Sequence, residues 1–231
     1  MDDRTGWRYG RRLTAIALAA GGVLYGAANG FYWVMFPDDV SESADNVAVA
    51  AGHLGAWRAE TVLFALAHLM LLPAMAGLAA ALGRRKPLVA AIGGAIALLG
   101  LYFSSVHLWH YNALFGALAG AGVDADAARP VLNALDSDPF VMASFAIWLL
   151  GWMIGLLVLA FGAWRAGLVS LWVPLVLTGG QVLDFVSEGV PLKIVVSVLM
   201  VAGLSGLAFG VDRRRPAGSP AKADVPVAAH S

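Results

Sequence analysis

The sequence predicts an all-α, polytopic transmembrane helix bundle of six spans with both termini cytoplasmic. Three observations predict it. Of 231 residues, 60% are hydrophobic and only 13% charged, against roughly 45–50% and about 25% in soluble domains. The apolar residues fall in blocks of about 20 or more, the length a helix needs to cross ~30 Å of hydrocarbon. The basic residues gather in alternate connections. Equal numbers of acidic and basic residues, 15 of each, give a formal charge of zero and exclude a nucleic-acid partner. The absence of cysteine excludes disulfides, thiolate metal sites, iron–sulfur clusters and cysteine nucleophiles.

The first span covers residues 13–36. Arg11 and Arg12 precede it as in a secretory signal, but its apolar run exceeds the 7–15 residues or so of a signal core, so it is expected to be retained. An acidic, small-residue loop, 37–56, leads to the second span, 57–82. Arg84, Arg85 and Lys86 form a short turn into the third span, 88–107. A long connection, 110–139, contains a candidate surface helix at 127–135. The fourth, fifth and sixth spans follow at 140–164, 168–187 and 191–211, the last two separated only by Glu188, Gly189 and Val190. Residues 1–12 and 212–231 flank this domain as a cytoplasmic segment and a disordered basic tail. With the N-terminus inside, every basic residue except Arg58, Arg129 and Lys193 faces the cytoplasm, while Asp38, Asp39, Glu42, Asp45, Asp124, Asp126, Asp136 and Asp138 lie outside. An odd number of spans breaks that alternation.

Lipid supplies no hydrophobic drive between helices, so small residues must let backbones approach. Gly22, Gly26 and Gly30, Gly151 and Gly155, and Gly206 and Gly210 repeat at four-residue spacing. Packing within the chain is the first expectation for these faces, and a homodimer through one of them the second.

Ionisable groups inside a membrane are functional candidates by default. Here they are Glu60, His68, His107, Asp184 and Glu188. Span direction puts Glu60, His107, His110 and Asp184 at one depth, near the outer surface, from three helices. His68 lies ~12 Å deeper than Glu60 and is expected to be a hydrogen-bonded core histidine. Helical spacing gathers Gln181, Asp184 and Glu188 on one stripe and Ser104, His107 and Tyr111 on another. Tyr25, Asn29, Tyr32 and Trp33 make an aromatic and amide stripe at the same level, with Trp148 deeper. Together these predict a polar, aromatic-walled pocket opening outward for a lipophilic or amphipathic small molecule. An interfacial belt of aromatic and snorkelling residues is the competing reading.

Other chemistries fit less well. A bis-histidine haem needs imidazoles at one depth on facing helices, whereas His68 and His107 are offset by on the order of 10 Å. No compact histidine–carboxylate spacing marks a metal site, so neither a cofactor nor a metal is expected. Acid catalysis on an apolar substrate is an alternative, because a carboxyl group among apolar walls can hold a proton. Glu60 and Asp184 are its candidate acids, in a layout similar to that of integral-membrane terpene cyclases. These two acids are also expected to be coupled through His107 or a water. A small transporter or a purely structural membrane protein is a further alternative, the former with little support from broken half-helices.

One stretch carries a resemblance. Trp164-Arg165-Ala166-Gly167-Leu168-Val169-Ser170-Leu171-Trp172, leading into Gly179-Gly180-Gln181-Val182-Leu183-Asp184, resembles the basic loop and glycine-containing span of a bacterial integral membrane family classified only as a domain of unknown function. Gly22-Val23-Leu24-Tyr25 is similar to that family's opening helix, and Ala50-Ala51-Gly52-His53-Leu54 to its first loop. Gly167-Leu168-Val169-Ser170 lacks the proline usual there. The resemblance implies a multi-helix protein of the bacterial plasma (inner) membrane, with membrane lipids as its surroundings and no assigned chemistry.

Overall fold

Short turns force consecutive membrane-length helices into opposite directions, as at the Arg84–Lys86 turn between the helices Leu54–Gly83 and Pro87–Ser104. The computed structural model describes residues 3–36, 42–186 and 189–213, without the side chains of residues 3–9, Trp109 and His110. In order the elements are α1 (Asp3–Met35), α2 (Ser43–Gly52), α3 (Leu54–Gly83), α4 (Pro87–Ser104), a π turn (Ser105–Trp109), α5 (His110–Gly120), α6 (Ala125–Asp136), α7 (Pro139–Arg165), α8 (Trp172–Val186) and α9 (Val190–Arg213). Five stretches are long and apolar enough to cross a membrane: Gly10–Met35, Leu54–Gly83, Pro87–Gly120, Pro139–Arg165 and Val190–Arg213. This is the make-up of a multi-pass membrane protein. Leu13, Ile16, Leu69, Leu88, Leu150 and Val198 are exposed on these helices, as lipid-facing positions require.

Three boundaries differ from expectation. The loop at 37–56 contains α2, whose Ala44, Val47 and Ala50 are fully buried. The third span does not stop at residue 107 but continues through the π turn to Gly120. The fifth begins at Trp172 and spans 15 residues, because residues 166–171 form its approach. There Gly167 adopts φ 67°, the left-handed conformation that closes a helix C-terminus. Its N–H bonds the Trp164 carbonyl and the Leu168 N–H bonds that of Ala163, both at 2.7 Å. Arg85 donates to the Ala166 carbonyl at 2.6 Å, tying the α3–α4 turn to this corner. The candidate surface helix is present as α6, with Ala128 and Leu132 on its buried side. The tail beyond Arg213 lies outside the described residues.

Packing follows the small residues. α1 lies between α3 and α9, α4 packs on α7 and α3, and α8 lies along α9. Gly22 faces Leu204 and Gly26 faces Val201 and Ser197. Gly151 and Gly155 meet the backbone of Gly100 and Ala97, while Gly206 and Gly210 meet residues 168–173 at the start of α8. These glycines thus meet groups within the chain, as the first expectation for them has it. Arg11 donates to the carbonyls of Val211, at 2.9 Å, and Asp212. The start of α1 and the end of α9 therefore share one end of the bundle, with Arg84, Arg85, Lys86 and Arg165. The opposite end is acidic.

Two apolar clusters result. The larger runs through the bundle and includes Leu18, Leu71, Leu78, Leu156, Leu177 and Leu204. The smaller lies at the acidic end, where Val47 of α2, Trp57 of α3, Phe115 of α5 and Leu132 of α6 meet.

Candidate functional site

A cavity of about 550 Å³ lies where the two clusters meet. Tyr25 and Trp148, both packed on the larger cluster, reach it from below; Tyr32, Trp57, Tyr111 and Phe115 reach it from the smaller. Of the candidate residues, Tyr25, Asn29, Tyr32, Trp33, Glu60, His107, Trp148 and Asp184 line it. Gln181 does not: it is 5% exposed and both its amide atoms lack a partner among the described residues. The reason is its level along α8. Leu177 fills the space above Gly203 and Gly180 meets Leu199 and Met200, so this turn is sealed against α9. Asp184, one turn further on, emerges at the open end. Glu188 and the His110 side chain lie outside the described residues.

Glu60 is fully buried, with no exposed surface. Asn112 Nδ2 donates to both its oxygens, at 3.0 and 3.3 Å. One turn earlier on α3, the Trp57 indole N–H donates to the Asn112 carbonyl at 2.8 Å. Trp57 and Glu60 therefore clasp Asn112 by its backbone and its side chain. The π turn makes this fit. In an unbroken α-helix Asn112, five residues past His107, would point about 140° away from it. A π turn, with i→i+5 bonding, accommodates the additional residue, and both side chains face the cavity.

His107 lies stacked on Tyr111, ring centroids 4.5 Å apart, with Trp148 and Phe145 each at 5.2 Å. Tyr111 donates its hydroxyl to Asp136 at 3.2 Å. Asp184 is held by Lys193, whose ammonium reaches the carboxylate at 3.0 Å and the Asp184 carbonyl at 2.8 Å. The same ammonium stands 5.0 Å over the Trp33 ring. Glu60 and Asp184 thus have separate side-chain partners, Asn112 and Lys193, and His107 bonds neither of them directly. Asn29 donates to Ser197 at 2.9 Å, fixing α1 to α9 beneath Lys193.

His68 sits below the cavity at 4% exposure. Its Nδ1 is 2.8 Å from the Phe64 carbonyl, which can only accept, so Nδ1 carries the proton. Nε2 then accepts from the Ser104 hydroxyl at 2.7 Å when the ring is neutral. Both ring nitrogens are satisfied, as the core reading expects.

The helices α2 and α6 cover the cavity; Ser43 and Asn46 from the first and Asp136 from the second line it. Arg129 of α6 joins them through Glu42, with Asp45 at 3.4 Å and Asp126 at 3.3 Å. The surrounding carboxylates, Glu42 foremost, raise the Arg129 guanidinium still further above its ordinary value. A raised pKa adds stability that is lost only as pH rises through the folded value, which lies beyond any working range. Salt is the effective lever, since half-exposed ion pairs are screened. We expect amide hydrogen exchange in α2 and α6 to accelerate in 1 M salt (a Debye length of about 3 Å) or in Arg129→Gln, with α3 unchanged. Equal protection at low and high salt would refute the latch.

Sequence reasoning missed Asn112, Asp136 and Lys193 as site residues. Lys193 and Asp136 carried a signal, as charged residues flanking apolar helices, but only the fold brings them inward. Among the described residues no group of three or more histidine, aspartate or glutamate side chains is arranged to hold a metal ion. The sequence matches no protein-family model, no curated protein and no solved structure. The cavity's own chemistry is therefore the basis for a functional reading.

Proposed function

We propose that the chain is a six-span plasma-membrane protein, of the bacterial inner-membrane type, whose cavity opens outward and binds a small lipophilic or amphipathic molecule. The observation that carries this is the cavity itself. Its volume of about 550 Å³ falls within the range of small-molecule sites, its walls are largely aromatic, and a few polar groups converge on it. The contact of Arg11 with the end of α9 supports six crossings. Both ends of the bundle on one side go with an even number, and α8, though shorter than the other five stretches, supplies the sixth crossing in this reading. The clustering of basic residues at that side supports a cytoplasmic assignment for it. Single cysteines at Ser137 and Ser219 test the orientation: an impermeant thiol reagent should label the first in intact cells and spare the second. External labelling at 219 would overturn it.

An enzymatic reading has one observation in its favour. Glu60 is a fully buried acid facing aromatic walls, suited to protonating an apolar substrate. Purification in mild detergent with mass spectrometry of co-purified small molecules tests the binding role. Retention of one compound without conversion supports binding. Conversion that is lost in Glu60→Gln supports the enzyme, and an empty protein counts against both.

A further inference from the structure

We infer that the cavity's ligand is a lipophilic organic cation, an ammonium with an apolar body, seated with its charge at Glu60; this rests on the binding reading above. The charges facing the cavity among the described residues are Glu60, Asp136, Asp184 and Lys193, with His107 as the titratable ring. Lys193 is already engaged by Asp184. That leaves two carboxylates, each held by a neutral donor: Asn112 on Glu60 and the Tyr111 hydroxyl on Asp136. A buried carboxyl group without a cation either keeps its proton or bears a desolvation cost, and a ligand that brings a cation lets it ionise. An anion would meet the opposite balance.

The walls point the same way. Lys193 shows how this cavity holds an ammonium: a carboxylate oxygen at 3.0 Å on one side and the Trp33 ring at 5.0 Å on the other. Glu60 is among the lining residues with no such cation on it among the described residues, and Trp57, Phe64 and Tyr25 line the same cavity. Aromatic faces attract cations most where water is excluded, and Glu60 is fully buried. Volume excludes the simplest occupants. About 550 Å³ is far more than a metal ion or an inorganic ammonium fills, so the cation carries a body, which the remaining aromatic and aliphatic walls, Met142, Phe145 and Trp148 among them, are suited to cover.

The test uses the full chain in nanodiscs of neutral phosphatidylcholine with radiolabelled benzyltrimethylammonium, bound counts being read by scintillation proximity. Neopentylbenzene, the uncharged molecule of the same shape, is the competitor and, radiolabelled in its turn, the second probe. The cation should bind saturably, resist the neutral competitor, and lose at least tenfold in affinity in Glu60→Gln. Asp212→Asn, the same charge change at the other end, should leave affinity unaltered. The comparison of charged and neutral probes on the unaltered protein requires no variant to fold, and Glu60→Asp provides a milder second substitution. Binding that the neutral compound displaces equally, or that ignores Glu60→Gln in folded protein, overturns the cation assignment and leaves the cavity reading standing. Saturable binding of neither compound overturns both.

Discussion

Leucine at position 155 is expected to leave no monodisperse folded protein. Gly155 lies where α7 crosses α4, and a Cβ there would collide with the Ala97 backbone. Two further positions on the same seam repeat the geometry. A Cβ on Gly151 would stand 2.8 Å from the Gly100 Cα, and one on Gly100 would strike the backbone of Gly151 and Trp152. Overpacking against a side chain costs about 1–3 kcal/mol because the side chain can turn aside. Backbone on backbone has no such escape, so the helices must separate. That would disrupt the Leu156, Leu159 and Trp152 contacts of the main cluster. With total stabilities of about 5–15 kcal/mol, such a separation removes most of what is there. Size-exclusion profiles and thermal melts in detergent measure it, with Gly179→Leu, where a Cβ meets nothing within 4 Å, as the tolerated control. Matching profiles for the two variants would refute the seam.

The same seam shows what a sequence of this kind reveals. Gly151 and Gly155 announced a close helix approach, because four-residue spacing puts both on one face, though the partner, α4, was not legible. Spans were legible because apolar length is a property of each segment alone, and so were Glu60 and the Tyr25, Asn29, Tyr32 and Trp33 stripe. Asn112 was not. It lies beyond the point where regular helical phase holds, and nothing in Ser105–Trp109 signals an i→i+5 turn. The helix α2 was hidden for a different reason. Ser43–Gly52 is short and weakly apolar, and it is buried because α5 and α6, far later in the chain, fold against it. Gln181 had the right periodicity and the wrong level: its stripe reaches the cavity only at Asp184.

The second large effect is expected at Trp57, where two substitutions separate packing from positioning. Trp57 is 1% exposed and packs between Phe36, Tyr32 and Phe115 at ring-centroid distances of 5.3, 6.4 and 6.2 Å. Trp57→Ala empties the middle of the smaller cluster and should cost about 3–5 kcal/mol, the range for buried aromatic truncations. The cover formed by α2 and α6 should loosen with it. Trp57→Phe keeps most of the ring contacts and deletes the N–H donor to the Asn112 carbonyl. A lost hydrogen bond of this kind costs only about 0.5–1.5 kcal/mol, and inside membranes the measured average is nearer 0.6. Stability should therefore change little. The clasp predicts a different outcome at the site, since Asn112 without the indole tie no longer holds its amide against both oxygens of Glu60. Ligand affinity should fall in Trp57→Phe by several-fold, and adding Glu60→Gln should produce less than the product of the two single effects. Thermal melts and binding measurements on the three variants decide between the roles. Unaltered affinity in Trp57→Phe, or strictly multiplicative losses in the pair, would reduce Trp57 to a packing residue.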